Sequence, residues 1–165
     1  MPHNDELIKV IRLLHEAGIR FVLIGGMALT AHGGNHFTQD VDISPMPDLD
    51  NRETLATFLR MHHARPLGLP PSTSFTLDAD HLQLGALRFL NLKTDLGSID
   101  ILPLPSGIDS FEGLWERSVV MDLGGFLVHV ASLDDLIAMK QAAGRIKDQL
   151  HLLELQALKK LIAEG

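Results

Sequence analysis

Apolar residues recur along this chain in two rhythms. Near the start, Leu7, Ile8, Ile11 and Leu14 fall at helical spacing, with Asn4 placed to cap the helix and Gly18 to end it. Phe21 to Ile24 is a short unbroken apolar run, which predicts a buried strand. Gly25-Gly26 then turns into a short helix, Gly33-Gly34 breaks it, and a second strand carries Asp40 and Asp42. Side chains on a strand alternate faces, so the two aspartates share one face while Val41 and Ile43 turn to the core. This stretch, Phe21 to Ser44, organises the rest.

After it, Pro45 and Pro47 block continuation, and Asp48 or Asp50 starts a crossover helix with Leu55, Phe58 and Leu59 inward. Pro66 to Asp80, containing Pro70-Pro71 and Ser72-Thr73-Ser74, reads as a loop. Ala86 to Leu92 and Ser98 to Leu102 read as strands joined by the turn Thr94 to Gly97, a hairpin that brings Asp100 alongside the first acidic strand. Asp95 is then a turn former. Asp109 or Ser110 caps a short helix through Trp115, read as a core anchor. Val119 to Asp122 and Phe126 to Val130 form a further hairpin around Gly124-Gly125. Ser132 with Asp135 opens a helix from Leu133 to Ala143, Gly144 breaks it, and a last helix runs from about Lys147 to Ala163. Leu150, Leu153, Leu155 and Leu158 are its candidate buried stripe.

Two carboxylates on one face repel, and burial raises their pKa values unless a cation or strong donors intervene. A divalent ion bound by oxygen satisfies such a pair, and Mg²⁺ usually joins one or two carboxylates to substrate phosphates. Backbone N–H groups at the upstream glycine turn suit the phosphate. An Asp-x-Asp alone is also compatible with a strand-end cap, so the spacing to the glycines and the later Asp100 carry the argument. The adjacent His62 and His63, at the end of a helix, are expected to point apart and hold no metal. His32 is expected to pack at its helix end.

The order of apolar strand, Gly-Gly, 13 intervening residues and Asp-hydrophobic-Asp-hydrophobic resembles the nucleotidyltransferase superfamily with the DNA polymerase β type fold. Within it, the chain is similar to the small prokaryotic group related to toxin–antitoxin nucleotidyltransferases. The resemblance runs from about Phe21 to about Leu158. It implies an α/β (α+β) fold, a mixed β-sheet flanked by helices with further helices at the C-terminus. It implies Asp40, Asp42 and Asp100 as catalytic residues and metal ligands, with Mg²⁺ or Mn²⁺ as cofactor. It assigns nucleotide contacts to Gly25, Gly26, His36, Thr38, Lys140 and Arg145, and the segment Leu136 to Asp148 also places Lys147 and Asp148 at family positions. His36 stands where relatives often carry arginine, and Gly26 where many carry serine. The reaction implied is transfer of a nucleoside monophosphate from an NTP to an acceptor hydroxyl, on RNA or protein, with a cognate antitoxin or toxin as a further partner.

Composition narrows the field. The 165 residues suggest one domain, divided into a core over 1–130 and a helical segment over 131–165 packed on it. With no cysteine, disulfides and thiolate metal sites are excluded. No apolar run is long enough to span a bilayer and Met1 to Asp5 lacks a basic start, so a cytoplasmic protein without membrane contact is expected. A formal charge of −7 argues against coating nucleic acid nonspecifically, but leaves room for an RNA acceptor on a local basic patch. With no tyrosine and one tryptophan, an extended stacking platform for single strands is not expected. Two readings of another class stand beside the enzyme. One is a catalytically silent member that binds nucleotide or a partner protein. The other is a phosphohydrolase, which lacks a supporting histidine or threonine cluster around the aspartates.

Overall fold

The computed structural model describes residues 2–35, 37–83, 89–144 and 146–164, and of residues 2, 3, 146–148, 150 and 151 the backbone only. Among the described residues, seven strands form one mixed sheet: β1 (Phe21–Ile24), β2 (Asp40–Pro45), β3 (Arg65–Pro66), β4 (Leu90–Thr94), β5 (Gly97–Ile101), β6 (Val119–Asp122) and β7 (Leu127–Val130). Their order across the sheet is β3-β4-β5-β2-β1-β7-β6. β2 runs antiparallel to β1 but parallel to β5, and β1 runs parallel to β7. The helices are α1 (Pro2–Glu16), α2 (Gly25–Ala31), α3 (Leu49–Met61), α4 (Phe111–Arg117), α5 (Leu133–Ala143) and α6 (Ile146–Glu164), with a short 3₁₀ turn at Ala79–Leu82.

The expected element boundaries hold closely because the local chemistry is in place. Asp48 caps α3 through Asn51 N–H, Ser110 caps α4, Ser132 caps α5 through Asp135 N–H, and Gly144 ends α5 at φ +67°. Three expectations change. α1 begins at Pro2, so Asn4 stands in its first turn and is not the cap. Leu153 is 65% exposed while Leu155 is buried, because residues two apart on a helix lie about 200° apart and cannot share a stripe. The strand expected from Ala86 starts at Leu90, and residues 84–88 lie outside the described residues.

One face of the sheet is uniformly apolar. Phe21, Leu23, Val41, Ile43, Leu92, Ile99 and Ile101 are all buried there, continuous with Ile11 and Leu14 of α1 and Leu55 and Leu59 of α3. On the opposite face β1 contributes Val22 and Ile24, still buried, while β2 and β5 contribute carboxylates. The boundary between these two regions is where a site can form. Asn51 fixes the back of this arrangement. Its amide donates to Arg20 O and Met46 O and accepts from Arg20 N–H, tying α3 to the entry of β1 and the exit of β2.

Candidate active site

Sheet register assembles the acidic residues. Asp42 pairs with Asp100 on β5 and with Ile24 on β1, and Asp40 pairs with Ser98. Paired residues on neighbouring strands project to the same side, so all three aspartates occupy one face, with Asp42 between the other two. The strand sequences explain the choice of face: in Asp40-Val41-Asp42-Ile43 and Ser98-Ile99-Asp100-Ile101 the apolar members are fully buried, which forces the polar ones outward.

Asp42 is the most perturbed of them. Its pKa is pushed up to about 8, first by burial, then by the charge and hydrogen bond of Asp100 and the charge of Asp40, with Lys140 opposing. Its Oδ1 is buried and has no hydrogen-bond partner among the described residues. The other oxygen leans on the glycine turn: a Cβ on Gly25 would sit 1.9 Å from Asp42 Oδ2. Gly25 also has φ +69°, a conformation that costs other residues about 1 kcal/mol. Gly26 follows in the first turn of α2, where its carbonyl accepts from Thr30 Oγ1.

The remaining expected residues divide. Lys140, half-buried on α5, is close enough to act on Asp42 electrostatically. Thr38 Oγ1 donates to Asp40 O at 3.3 Å and accepts from Asp40 N–H at 3.5 Å, shaping the entry to β2. His36 and Arg145 lie outside the described residues, as do the side chains of Lys147 and Asp148. His32 ends α2, its Nε2 2.8 Å from Ala131 O. His62 and His63 do not diverge as expected: their Nδ1 atoms meet the two oxygens of Asp95 at 3.0 and 3.1 Å. His63 takes φ +56°, which swings its ring back toward the hairpin turn. Trp115 is half-buried and stacks on His129 at 3.7 Å.

Sequence reading missed the anchor of the lysine helix. Arg117 Nε donates to both oxygens of Asp135 at 3.1 and 2.9 Å, and Asp135 is buried in the first turn of α5. The nearest signal was its position three residues after the capping Ser132, which had suggested only a cap.

Among the described residues, no three His, Asp or Glu side chains form a metal cage by themselves. The donor set nevertheless fits a hard divalent ion of the Mg²⁺ kind, which takes one or two carboxylates and completes its shell with water and substrate phosphate. An orphaned buried carboxylate oxygen between two like charges is the arrangement such an ion satisfies.

No protein of curated function matches the chain by sequence. Several solved structures share the fold, among them the following two. A lincosamide antibiotic adenylyltransferase, LnuA, in its lincomycin-bound form is similar with a TM-score of 0.62 at 14% identity, over 93% of this chain and 96% of that one. ANT(2'')-Ia in complex with adenylyl-2''-tobramycin gives a TM-score of 0.59 at 15% identity, over 99% and 92%. The family described as "Nucleotidyl transferase AbiEii toxin, Type IV TA system" matches residues 12–148. This chain is a nucleotidyltransferase and belongs to that family.

Proposed function

We propose that the protein transfers a nucleoside monophosphate from an Mg²⁺-bound NTP to an acceptor hydroxyl, as the toxin of a toxin–antitoxin pair. The observation that carries this is the buried Asp42 carboxylate, orphaned at Oδ1 and pressed between Asp40 and Asp100. A protein that only bound a partner would have no use for three repelling carboxylates held on one face. The family and the two structural neighbours, one bound to lincomycin and the other in complex with adenylyl-2''-tobramycin, support the same reaction class.

In this reading Asp40 and Asp42, with Asp100, hold the divalent ion. When bound, that ion neutralises charge on the triphosphate and on the attacking and leaving oxygens. The chain's own groups do the rest. The Gly25-Gly26 turn offers backbone N–H groups to phosphate oxygens, and a side chain at Gly25 would collide with the Asp42 carboxylate beside them. Lys140 contributes a positive charge beside Asp42 and balances phosphate charge. Asp100 accepts the acceptor's hydroxyl proton as its oxygen attacks the α-phosphorus, and pyrophosphate leaves.

The decisive experiment is calorimetric titration of the four NTPs with and without Mg²⁺, on the wild type and on the Asp40→Asn, Asp42→Asn double variant. Metal-dependent binding that the variant loses supports the reading. Equal binding by the two proteins, or none by the wild type, refutes it.

A further inference from the structure

The last helix reaches the acidic strand from outside the sheet. Glu154 on α6 accepts the backbone N–H of Asn35 at 2.9 Å, across 119 positions of sequence. Asn35 lies in the segment that leaves α2 and enters β2, the strand of Asp40 and Asp42. Close packing fixes the start of that segment. Gly34 N–H donates to Leu29 O at 2.9 Å, and a Cβ on Gly34 would lie 2.7 Å from the Leu29 side chain, so the chain turns back tightly over α2. Its end is fixed by Thr38, whose hydroxyl bonds both Asp40 O and Asp40 N–H. Between these points Glu154 holds it from a distant element.

α6 is itself set against the helix that carries Lys140. Leu155, the residue after Glu154, is buried in the core, which fixes the height and rotation of α6 there. Five residues beyond Glu154, Lys159 pairs with Asp134 in the first turn of α5. A helix rises about 1.5 Å per residue, so the two attachments stand about 7 Å apart along α6. One rigid element therefore grips both the segment feeding Asp40 and the helix bearing Lys140. The first grip matters because Asp40 opens its strand. Among the described residues, strand pairing holds Asp42 on both sides, against Ile24 and Asp100, and Asp40 on one, against Ser98. The place of Asp40 thus depends on the segment before it as well as on β5.

We infer that Glu154 is a positioning residue for nucleotidyl transfer, which through the Asn35 backbone holds the entry of β2, and so the Asp40 carboxylate, in place relative to Lys140. The inference rests on the nucleotidyl-transfer reading above, in which Asp40 is a ligand of the divalent ion. The Glu154 bond lies at the surface, where a hydrogen bond adds little to overall stability because water replaces it. What it removes is freedom of the segment. A site that spends a smaller fraction of its time in the competent arrangement binds its ligand more weakly by that fraction. The role needs an acceptor oxygen at the reach of a glutamate side chain, and no negative charge.

The test is calorimetric titration of the four NTPs at a series of Mg²⁺ concentrations, on the full chain, with urea denaturation of the same preparations. Glu154→Ala, and Glu154→Asp with its shorter reach, are each expected to raise the Mg²⁺ concentration for half-maximal NTP binding about five- to tenfold, with the urea midpoint nearly unchanged. Glu154→Gln keeps the oxygen where it is and is expected to stay within about twofold of wild type. Hydrogen exchange at the Asn35 amide is expected to quicken in Glu154→Ala and not in Glu154→Gln. An Mg²⁺ requirement unmoved in Glu154→Ala, or raised equally in Glu154→Gln, overturns the inference, and so does a loss confined to the urea midpoint. A wild type that binds no NTP, or binds it without regard to Mg²⁺, overturns the transfer reading itself and the inference with it.

Discussion

Gly25 and Asp42 are in contact so close that a single methyl group does not fit between them: a Cβ on Gly25 would lie 1.9 Å from Asp42 Oδ2 and 2.8 Å from its Cγ. The end of β1 therefore sets the position of the carboxylate on β2. Gly25→Ala is expected to cost about 1–3 kcal/mol of stability, from the positive φ and the overpacking together. The displaced carboxylate is expected to lower transfer activity by at least about a hundredfold, out of proportion to the stability loss. Urea denaturation and steady-state kinetics on the same preparation separate the two effects.

Asp42 also makes the metal-free protein sensitive to pH. Its native pKa of about 8 stands above the ordinary carboxylate value of 3.8, so between these limits the native state holds a proton that the unfolded chain has released. Stability is thus fully present below about pH 4 and falls as pH rises toward 8. Asp42→Asn removes the penalty and is expected to be more stable than wild type at pH 8 by a few kcal/mol, with little difference at pH 4. Melting curves in a chelator across this range check it. A wild-type Tm that does not fall relative to the variant contradicts the assigned environment.

The shared face of the three aspartates was legible because two demands coincide in the sequence. Asp40-Val41-Asp42-Ile43 and Ser98-Ile99-Asp100-Ile101 each alternate, so burying the apolar residues leaves only one face for the acids, and strand pairing does the rest. The glycine turn could be read for the same reason, since a local backbone requirement appears directly as a residue type. What could not be read depends on side chains meeting across the fold. Nothing in His62-His63 announces that both rings meet Asp95, 33 and 32 residues away, with His63 at a positive φ. Likewise Asn51 is only 2% exposed on a helix where the sequence marks the inward positions by apolar residues alone. The stripe on α6 was misplaced at Leu153 because several leucines lie close together and the sequence does not say which of them face inward.

Asn51 gives a stability prediction that hydrophobicity alone would reverse. Its amide serves Arg20 N–H, Arg20 O and Met46 O from within the core. Asn51→Leu keeps the branched shape and adds apolar surface, but leaves those backbone groups without their partner. The expected cost is about 2–4 kcal/mol, since each buried polar group left unpaired costs about 1–3 kcal/mol and part of the loss is recovered by water. Denaturant titration reads it. An unchanged midpoint shows that α3 is held by its apolar face alone.

The pair Arg117 and Asp135 connects stability to the proposed nucleotide site. Asp135 has 9% of its side chain exposed against 49% for Arg117, so removing the arginine strands a buried carboxylate at the start of the helix that carries Lys140. Arg117→Met is expected to cost about 1–3 kcal/mol, less than for a fully buried pair because the guanidinium is half solvated. Adding Asp135→Leu is expected to recover much of this, because the uncompensated charge goes with it. Function is expected not to recover in parallel. α5 is also held where Gly107 approaches Ala138 so closely that a Cβ would lie 2.5 Å from its carbonyl, so a helix loosened at its first turn pivots about that contact and moves Lys140 relative to Asp42. Both variants are expected to raise the KM for NTP several-fold with a smaller change in kcat, and Lys140→Met is expected to do the same in the wild-type background. If the double variant regains stability and its KM for NTP returns to the wild-type value, Arg117 and Asp135 hold the fold and do not position Lys140.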